Sequence, residues 1–440
     1  MDNVQTRHSK QLIPLGPEDG FGAQAELRRH ANNPAIAAKV FPNPLEQDLV
    51  DKLDYLIAKP VVASSPGHRF ALPIDVVCDP ANDKPRGFLL EYAHGAIDFD
   101  LVIAATTWLP EAFRIRVALN LTNSLNDLHH AGYCRGDFPN SMVMRDGSIV
   151  EIDLDSLQIG TEFRCGLAKL PYLAPELLQH VVVDKGSMRE VDITPEHDRF
   201  AHAVQLWKLV RGNGDEHPFA SHYTGNQTPP PSRVDRVLQG KFPWSGQHPD
   251  FQPPNDAPSL REMDGGLRML FFQTFEDGCH SASRRPSVIS WRTALAAIDL
   301  GDSVELTAEE WQCIRDGRRP VIRVNTLRDW RIRRDDAVRI AVSVIRRIPI
   351  RLVAGSVLAM ATLLFFRSPI QTSVPESRSI DGAYAPHVSS ASVESTTVRR
   401  TANRHRRRES AWRENWLKNI PRAGSSGETP TVWHLLIDEE

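Results

Sequence analysis

The chain is poor in cysteine and carries little net charge for its 440 residues. Its five cysteines include no Cys-x-x-Cys pair and no histidine partner at metal-ligand spacing, which excludes the common zinc patterns. We expect them to be reduced thiols of a cytosolic domain. A net charge of −3 and an apolar content of 41 % are typical of an ordinary folded protein and argue against a polyanion-binding surface. The N-terminus lacks a basic segment followed by an apolar run, so we expect no cleavable signal peptide.

Two carboxylates, Asp137 and Asp153, flank a predicted β-hairpin in the stretch CRGDFPNSMVMRDGSIVEIDLD at 134–155. The turn signal is RDG at 145–147, with apolar residues on both sides. A hairpin would hold both acids at one end, facing one cleft. Phosphoryl transfer uses such a pair, because one acid orients the attacking hydroxyl and the other holds Mg²⁺ against the phosphates. Two solvated turn residues are the alternative interpretation.

A glycine cluster and a strand lysine upstream of this hairpin predict contacts with phosphates. Gly16, Gly20 and Gly22 precede a strand-like run, and glycines there let the backbone approach phosphate oxygens. Lys39 lies in the apolar strand AIAAKVF at 35–41, where an ammonium is costly unless it meets an anion. Such a lysine is expected to contact the α- and β-phosphates of a nucleotide. An ordinary hairpin turn and a lysine at a strand edge are the alternatives.

Two further segments complete the predicted nucleotide site. Residues 44–58 have apolar positions at helical spacing, and among their acids we favour Glu46 or Asp51 as the partner of Lys39. The apolar strand GFLLEY at 87–92 ends in Glu91 and Tyr92. Its polar end suits a hinge whose backbone meets an adenine edge.

Seven motifs then follow one another in the order in which protein kinases carry them, from about residue 10 to about residue 298. They are Lys39, Asp137, Asp153, Ala174-Pro175-Glu176, Asp198 near the start of a helix, His217-Pro218-Phe219 and Arg285-Pro286-Ser287. The chain resembles bacterial eukaryotic-like Ser/Thr protein kinases, and within them the helix-hairpin-helix-associated group. That group has Gly-Asp where other kinases have Arg-Asp, and Asp-x-Asp-Ser instead of Asp-Phe-Gly. The corresponding residues here are Gly136-Asp137 and Asp153-Leu154-Asp155-Ser156.

The resemblance implies a role for each matching residue. Lys39 would pair with the nucleotide phosphates, Asp137 would position the substrate hydroxyl, and Asp153 would hold Mg²⁺ or Mn²⁺. The three glycines would cover the phosphates. Structural roles are implied for three more residues: an ion pair between Glu176 and Arg285, and a helix cap at Asp198 that also braces the catalytic loop.

Two positions depart from the pattern of other kinases. The asparagine expected five residues after the catalytic aspartate is replaced by Met142, whose thioether does not suit Mg²⁺. Asn140 or Ser141 would serve as metal ligand if the loop is short, and we assign Asn140. Gly136 cannot pair with an activation-loop phosphate as an arginine would. We therefore predict that activity does not require phosphorylation of the hydroxyls in 154–173, which are those of Ser156, Thr161 and Tyr172.

The last quarter of the chain contains a predicted membrane span. The run LVAGSVLAMATLLFF at 352–366 is uncharged and is bracketed by Arg351 and Arg367. An excess of arginine before it predicts that the kinase domain lies inside and the tail outside. A buried core helix is the alternative. The basic tail segment with Trp412 and Trp416 would either contact lipid, cell-wall polymer or protein, or simply be solvated.

Together these observations predict an α+β protein with a two-lobed protein-kinase-like fold, followed by a single transmembrane helix and a largely disordered tail. The helix-hairpin-helix module of the group has no counterpart in the sequence. The predicted function is ATP-dependent phosphorylation of protein hydroxyls at the cell inner membrane, with a pseudokinase scaffold as the alternative and no nucleic acid as partner. The substrate and oligomeric state do not follow from the sequence. The predicted segments are a disordered N-terminus (1–11), the kinase-like domain (12–298), a basic juxtamembrane segment (299–348), the transmembrane helix (349–367) and the external tail (368–440).

Overall fold

The computed structural model describes residues 2–21, 25–214, 216–255, 257–300 and 304–320. These residues belong to one compact unit. The predicted transmembrane helix at 349–367 and the predicted tail at 368–440 lie outside the described residues, as does most of the segment 299–348.

The described N-terminal part of the unit consists of seven strands and one helix. Its elements are β1 (Asn3–Thr6), β2 (Leu12–Phe21), β3 (Glu26–His30), β4 (Asn33–Val40), α1 (Gln47–Ala58), β5 (His68–Phe70), β6 (Pro73–Cys78) and β7 (Pro85–Glu91). Six of the strands form a closed barrel in the order β1-β2-β3-β4-β7-β6. The barrel closes because β1 pairs antiparallel with β6, with Gln5 opposite Cys78.

Strand β4 shows how the barrel positions a functional side chain. Successive side chains of a strand point to opposite faces. Ala38 and Val40 pack with Val4 in the barrel interior, whereas Ala37 packs on the other face with Leu53 of α1. Lys39 therefore leaves the barrel on the same face as Ala37, towards the cleft next to α1.

The rest of the unit is mainly helical. Its elements are β8 (Ile97–Asp98), α2 (Phe99–Ala105), α3 (Glu111–His130), β9 (Tyr133–Cys134), β10 (Ser141–Val143), β11 (Ile149–Glu151), β12 (Gln158–Ile159), α4 (Pro175–Leu178), α5 (Pro195–Arg211), β13 (His222–Tyr223), α6 (Arg233–Leu238), β14 (Phe251–Gln252), α7 (Gly265–Phe272), α8 (Gly278–His280), α9 (Val288–Ala296) and α10 (Ala308–Arg315). Its core is aromatic: the Trp207 ring of α5 lies edge-on to Phe271, with the centroids 5.2 Å apart. This packing buries α5 on nearly every side.

Helix α5 has clear start and stop signals. Pro195 occupies its first turn, where a missing N–H costs nothing. The backbone N–H of Thr194 donates to Nδ1 of His197, 3.0 Å away, which closes the N-terminal turn. Gly212 ends the helix in the left-handed conformation, with φ of 70°. A helix defined this sharply can serve as a rigid support for the loop that precedes β10.

The predicted hairpin is confirmed as β10 and β11. The two strands pair antiparallel, with Ser141 opposite Glu151 and Val143 opposite Ile149. Gly147 turns the chain with φ of 80°. The hairpin forms the centre of a four-stranded sheet with β5 and β8.

The predicted fold class is wrong for the part of the chain that the structure describes. Strand β1 arises from the segment predicted to be disordered, and it pairs with β2 and β6 because its Val4 side chain is fully buried in the barrel. A closed six-stranded barrel is found in the part of the chain for which a lobe of a two-lobed kinase-like fold was predicted. No helix within the described ranges is both long enough and apolar enough to cross a membrane.

The folded unit also continues past the predicted boundary at 298. Trp311 of α10 packs edge-on against Phe113 of α3, with ring centroids 6.5 Å apart. Its indole N–H donates to the Gly95 carbonyl at 3.3 Å. Helix α10 therefore packs near the segment that follows β7.

Candidate functional site

Lys39 forms an ion-pair cluster with two aspartates at the end of β11. Its Nζ lies 3.0 Å from Oδ1 of Asp153 and 2.8 Å from Oδ1 of Asp155. Burial alone would lower the pKa of the Lys39 ammonium, but the two carboxylates outweigh burial and raise the pKa. The prediction that Glu46 or Asp51 pairs with Lys39 is wrong. Glu46 immediately precedes α1, and Asp51 accepts a hydrogen bond from Gln47 at 2.7 Å.

Asp153 has a backbone conformation that is unusual for a residue with a side chain. Its φ of 55° and ψ of 37° lie in the left-handed region. Aspartate tolerates this region better than most residues, but the conformation still costs free energy and is concentrated at functional sites. A single turn of helix follows, and in it the Ser156 hydroxyl donates to the Asp153 carbonyl at 2.7 Å. This turn brings Asp155 round to the same lysine.

The loop before β10 holds the second predicted acid, Asp137. Nδ2 of Asn140 donates to Oδ2 of Asp137 at 2.8 Å. Lys169 reaches over from the segment before α4, and its Nζ donates to Oδ1 of Asn140 at 3.2 Å and to the Pro139 carbonyl at 3.0 Å. Asp137, Asn140 and Lys169 therefore form one polar group on the cleft side of the loop.

Burial raises the pKa of the Asp137 carboxyl. Lys169, Asn140 and Arg135 act in the opposite direction, and the negative charge of Asp153 adds to the increase. Asp137 is only 8 % exposed. A raised pKa makes the ionised carboxylate a better proton acceptor, which suits a general base.

Met142 does not occupy a metal-ligand position. It lies in β10 opposite Val150, where it packs against the apolar cluster that includes Phe88 and Leu90. Of the two residues named as alternative ligands, Asn140 is the one whose side chain contacts Asp137, whereas the Ser141 hydroxyl donates to Glu151.

The loop before β10 is anchored by Asp198 of α5. Its carboxylate accepts the backbone N–H groups of Arg135, at 2.7 Å, and Gly136, at 2.9 Å. Nε2 of His129 lies 2.9 Å from the same carboxylate. The predicted bracing of the loop by Asp198 is confirmed. Its predicted capping role is wrong, because Thr194 is the N-cap residue of α5.

His129, Cys134 and Asp198 also bring their potential metal-ligand atoms within 4.8 Å of one another. Burial raises the pKa of the Cys134 thiol, with Asp198 adding to the increase, so the thiolate that a metal needs is disfavoured. The Asp198 carboxylate already accepts two backbone N–H groups. This group is best explained as a structural brace.

Arg135 forms a buried polar network behind the loop. It donates to the Glu151 carboxylate and to the Asn140 carbonyl. The hydroxyls of Ser124 and Ser141 donate to the same carboxylate at 2.6 and 2.7 Å. Because Arg135 is 4 % exposed and both of its terminal nitrogens donate within this network, it is not available to bind a phosphate on the segment 154–173.

Two of the three glycines predicted to cover the phosphates, Gly16 and Gly20, lie in β2. The Gly16 carbonyl accepts two hydrogen bonds from the Arg28 guanidinium, at 2.9 and 2.8 Å. Gly20 pairs with Leu27 after two irregularities in the register of β2 and β3. Gly22 lies outside the described residues.

The predicted hinge residues follow from the end of β7. Glu91 pairs with Ile36, and Oε1 of Glu91 lies 3.3 Å from Nε of Arg69. The backbone N–H of Tyr92 donates to the Ala35 carbonyl at 2.8 Å. Tyr92 also packs against the apolar cluster that contains Met142. An apolar surface of this kind, next to Lys39, suits the flat face of a nucleobase.

Two residues of the site were not predicted as its members. Asp155 belongs to the Asp153-Leu154-Asp155-Ser156 motif, and its spacing of two from Asp153 is the only signal that the sequence carries for its contact with Lys39. Lys169 has no signal, because it follows the loop before β10 by about thirty residues.

The chain matches no protein-family model, and no curated protein is significantly similar to it.

Proposed function

We propose that the protein is an ATP-dependent phosphotransferase that transfers the γ-phosphoryl group to a serine or threonine hydroxyl of a protein substrate. The observation that carries the proposal is the convergence of three side chains from distant parts of the chain. Lys39 comes from β4, Asp153 from the end of β11 and Asp137 from the loop before β10. Lys39 forms an ion pair with Asp153, and the negative charge of Asp153 contributes to the raised pKa of Asp137. The order of kinase motifs in the sequence supports the same reaction and a protein substrate.

Lys39 would bind the nucleotide phosphates. In the structure its ammonium is neutralised by Asp153 and Asp155, so a phosphate would have to replace these carboxylates as its partner. This replacement is favourable because the triphosphate chain of ATP carries more negative charge than the two carboxylates together.

The residues present fit a divalent cation of the Mg²⁺ or Mn²⁺ type. Asp153 offers a carboxylate that is 43 % exposed, and Asn140 lies next to Asp137 with its amide oxygen bonded only to Lys169 among the described residues. Oxygen ligands are those that Mg²⁺ prefers, and the thioether of Met142 faces away from them. When bound, such a cation would neutralise charge on the phosphates.

Asp137 would orient the attacking hydroxyl and accept its proton. Asn140 holds one carboxylate oxygen by a hydrogen bond, which fixes the carboxylate plane. Lys169, next to them, adds a positive charge near the position where the transferred phosphoryl group would lie. Because the ammonium of Lys169 is already in place, it would stabilise the transition state of phosphoryl transfer without any rearrangement of the site.

The test is transfer of label from γ-labelled ATP to a generic basic protein by the purified full-length chain, with Mg²⁺ or Mn²⁺. We expect transfer to fall at least about 100-fold in Asp137→Asn, because a general base contributes a factor of that order. Asp153→Asn should show a loss of similar size. Asp48→Asn, an exposed acid on α1, is the matched control and should leave transfer unchanged.

Two results would overturn this proposal. One is transfer that survives Asp137→Asn, which would indicate a contaminating enzyme. The other is a folded chain that shows no transfer with either cation.

A nucleotide- or partner-binding pseudokinase is the second candidate. The ion pairs of Lys39 with both Asp153 and Asp155 favour it, because they neutralise the residue that would hold the phosphates. Nucleotide binding without transfer would support this function, and transfer that depends on Asp137 would exclude it.

A further inference from the structure

Lys52 is a buried lysine of α1 without a direct partner. The residue is 6 % exposed, and its ammonium has no hydrogen bond or ion pair within the described part of the chain. A buried charge without a partner is costly, so such residues are rare unless they have a function.

The position of Lys52 on α1 directs it towards the aspartates of the site. Residues four apart share one face of a helix, so Lys52 lies on the same face as Leu56. Leu56 packs with Leu154 and Leu157, which flank Asp155. Lys52 therefore lies on the side of α1 that covers the turn carrying Asp155.

The pKa of Lys52 agrees with this placement. Burial lowers the pKa of the ammonium, whereas the negative charges of Cys165, if ionised, and of Asp155 would raise it. Burial also raises the pKa of the Cys165 thiol to about 12, so at neutral pH Asp155 is the charged neighbour. Asp155 is thus near both lysines, but it bonds only to Lys39 among the residues that the structure describes.

Nucleotide binding would change which charged groups of the site are paired. This argument rests on the function proposed above. Without nucleotide, Asp153 and Asp155 share the single positive charge of Lys39, and Lys52 forms no ion pair among the described residues. When phosphates engage Lys39 and a divalent cation engages Asp153, Asp155 loses its partner. Asp155 is only 11 % exposed in its side chain, so an unpaired state would be costly.

We propose that Asp155 is exchanged between two lysines: Lys39 holds it in the nucleotide-free protein, and Lys52 takes it when phosphates engage Lys39. Lys52 is then a positioning residue that acts through Asp155 and never touches the nucleotide. It provides the cation that makes the release of Lys39 favourable. In the nucleotide-bound state Lys52 and Asp155 would pair with each other, so neither buried charge would be left without a partner.

The test is a double-mutant cycle read by nucleotide affinity rather than by activity. Binding of Mg-ATP to the full-length chain is measured by calorimetry in the wild type, Lys52→Met, Asp155→Asn and the double variant. We expect Lys52→Met to weaken binding about tenfold, within the range for directly coupled groups. In the Asp155→Asn background the same change should have no effect, because the neutral amide of that variant needs no cation.

A second readout separates this role from simple packing. Lys52→Met removes an unpartnered buried charge, so the nucleotide-free variant should melt at a higher temperature than the wild type while binding Mg-ATP more weakly. Lys59→Met, at an exposed lysine that follows α1 and whose ammonium contacts Tyr55, is the control for binding and should leave the affinity for Mg-ATP unchanged.

The outcomes distinguish the exchange from the phosphotransferase. Equal weakening by Lys52→Met in both backgrounds, or weaker binding together with a lower melting temperature, would overturn the exchange and leave the phosphotransferase intact. Binding that follows the cycle, without phosphoryl transfer, would support the exchange and overturn the phosphotransferase. A wild-type chain that does not bind Mg-ATP would overturn both.

Discussion

Asn140 and Met142 are two residues apart but have different surroundings. Asn140 lies in the polar loop and donates to Asp137, whereas Met142 is in β10 and packs in an apolar cluster. The alternation of a strand explains the difference, because Ser141 and Met142 start β10 and point to opposite faces. Because β10 begins at Ser141, Asn140 remains in the loop and is the residue that contacts Asp137.

This placement predicts opposite results for two substitutions. Asn140→Ala should lower phosphoryl transfer by about 10- to 100-fold, because it removes the group that orients Asp137 and offers a metal ligand. Met142→Leu should change transfer by less than about threefold, since leucine fills a similar volume in the apolar cluster. The measurement is initial rate at saturating Mg-ATP, with both variants checked for native melting.

A larger loss in Met142→Leu than in Asn140→Ala would show that residue 142 is closer to the reacting atoms. At this scale the hairpin signal in the sequence places Asp137 before β10 and Asp153 after β11, and the structure adds the ion pair of Asp153 with Lys39. The sequence did not identify Asp155 as the acid that pairs with Lys39. The rotation of α1 about its axis decides which of its residues face the cleft, and a one-dimensional pattern leaves that rotation open.

At the scale of elements, the segment between β11 and α4 is held by packing. Gly136 has φ of 69°, and a Cβ atom there would lie 2.7 Å from Sγ of Cys165. Cys165 thus occupies the space next to the loop before β10 that a longer side chain at 136 would need. Arg135, the neighbouring arginine, is buried against Glu151. This loop therefore presents no arginine to the segment from positions 135 and 136.

We accordingly predict that phosphorylation of the segment is not needed for activity. Thr161 is exposed, Tyr172 is 6 % exposed and Ser156 already donates to the Asp153 carbonyl. The variant Thr161→Ala/Tyr172→Phe should retain transfer within about twofold, because neither hydroxyl is needed as a phosphorylation site. Phosphatase treatment of the wild-type chain should likewise leave the rate unchanged, and this covers Ser156. A rate that collapses after phosphatase treatment and returns on incubation with ATP would contradict the prediction.

Some elements could be predicted from their own residues, whereas others form only through contacts with distant parts of the chain. The β10–β11 hairpin followed from its turn residues and apolar flanks. Strand β1 did not, because a four-residue strand in a polar segment has no periodic signal of its own and forms only by pairing with β2 and β6. The closure of the barrel is thus a long-range effect. Helix α10 is similar, since its Trp311 gains its partners, Phe113 and the Gly95 carbonyl, from residues about two hundred positions earlier.

At the scale of the whole molecule, one ion pair joins three separate parts of the helical region. Arg285 precedes α9, and its two terminal nitrogens each lie 2.7 Å from an oxygen of Glu176 in α4. The same guanidinium donates to the Glu196 carbonyl in α5 at 3.0 Å and to the Gly278 carbonyl at 2.9 Å. The predicted pairing of Glu176 with Arg285 is therefore confirmed, and its energetic effect should appear in the stability of the whole unit.

Glu176→Gln should destabilise the protein by about 2–3 kcal/mol. Removing one partner of a fully buried pair costs about 3–5 kcal/mol, and we lower that value because the Glu176 side chain is 37 % exposed. Burial alone would raise the pKa of the Glu176 carboxyl, but the hydrogen bonds from Arg285 outweigh it and hold the pKa below its ordinary value of 4.5. A carboxyl with a lowered pKa contributes stability that is fully present above its unfolded-state pKa. That contribution is lost as the pH falls through the lower, folded-state value.

The stability difference between wild type and Glu176→Gln should therefore be constant from pH 7 to about pH 5.5 and shrink below about pH 4.5, because glutamine cannot titrate. Denaturant unfolding of the full-length chain at several pH values measures this difference directly. Glu162→Gln, an exposed acid in the same segment, is the matched control and should show little difference at any pH. A difference for Glu176→Gln that stays constant down to about pH 3 would mean that the charge of Glu176 does not stabilise the fold. Its contribution would then come from hydrogen bonds that the glutamine side chain cannot reproduce.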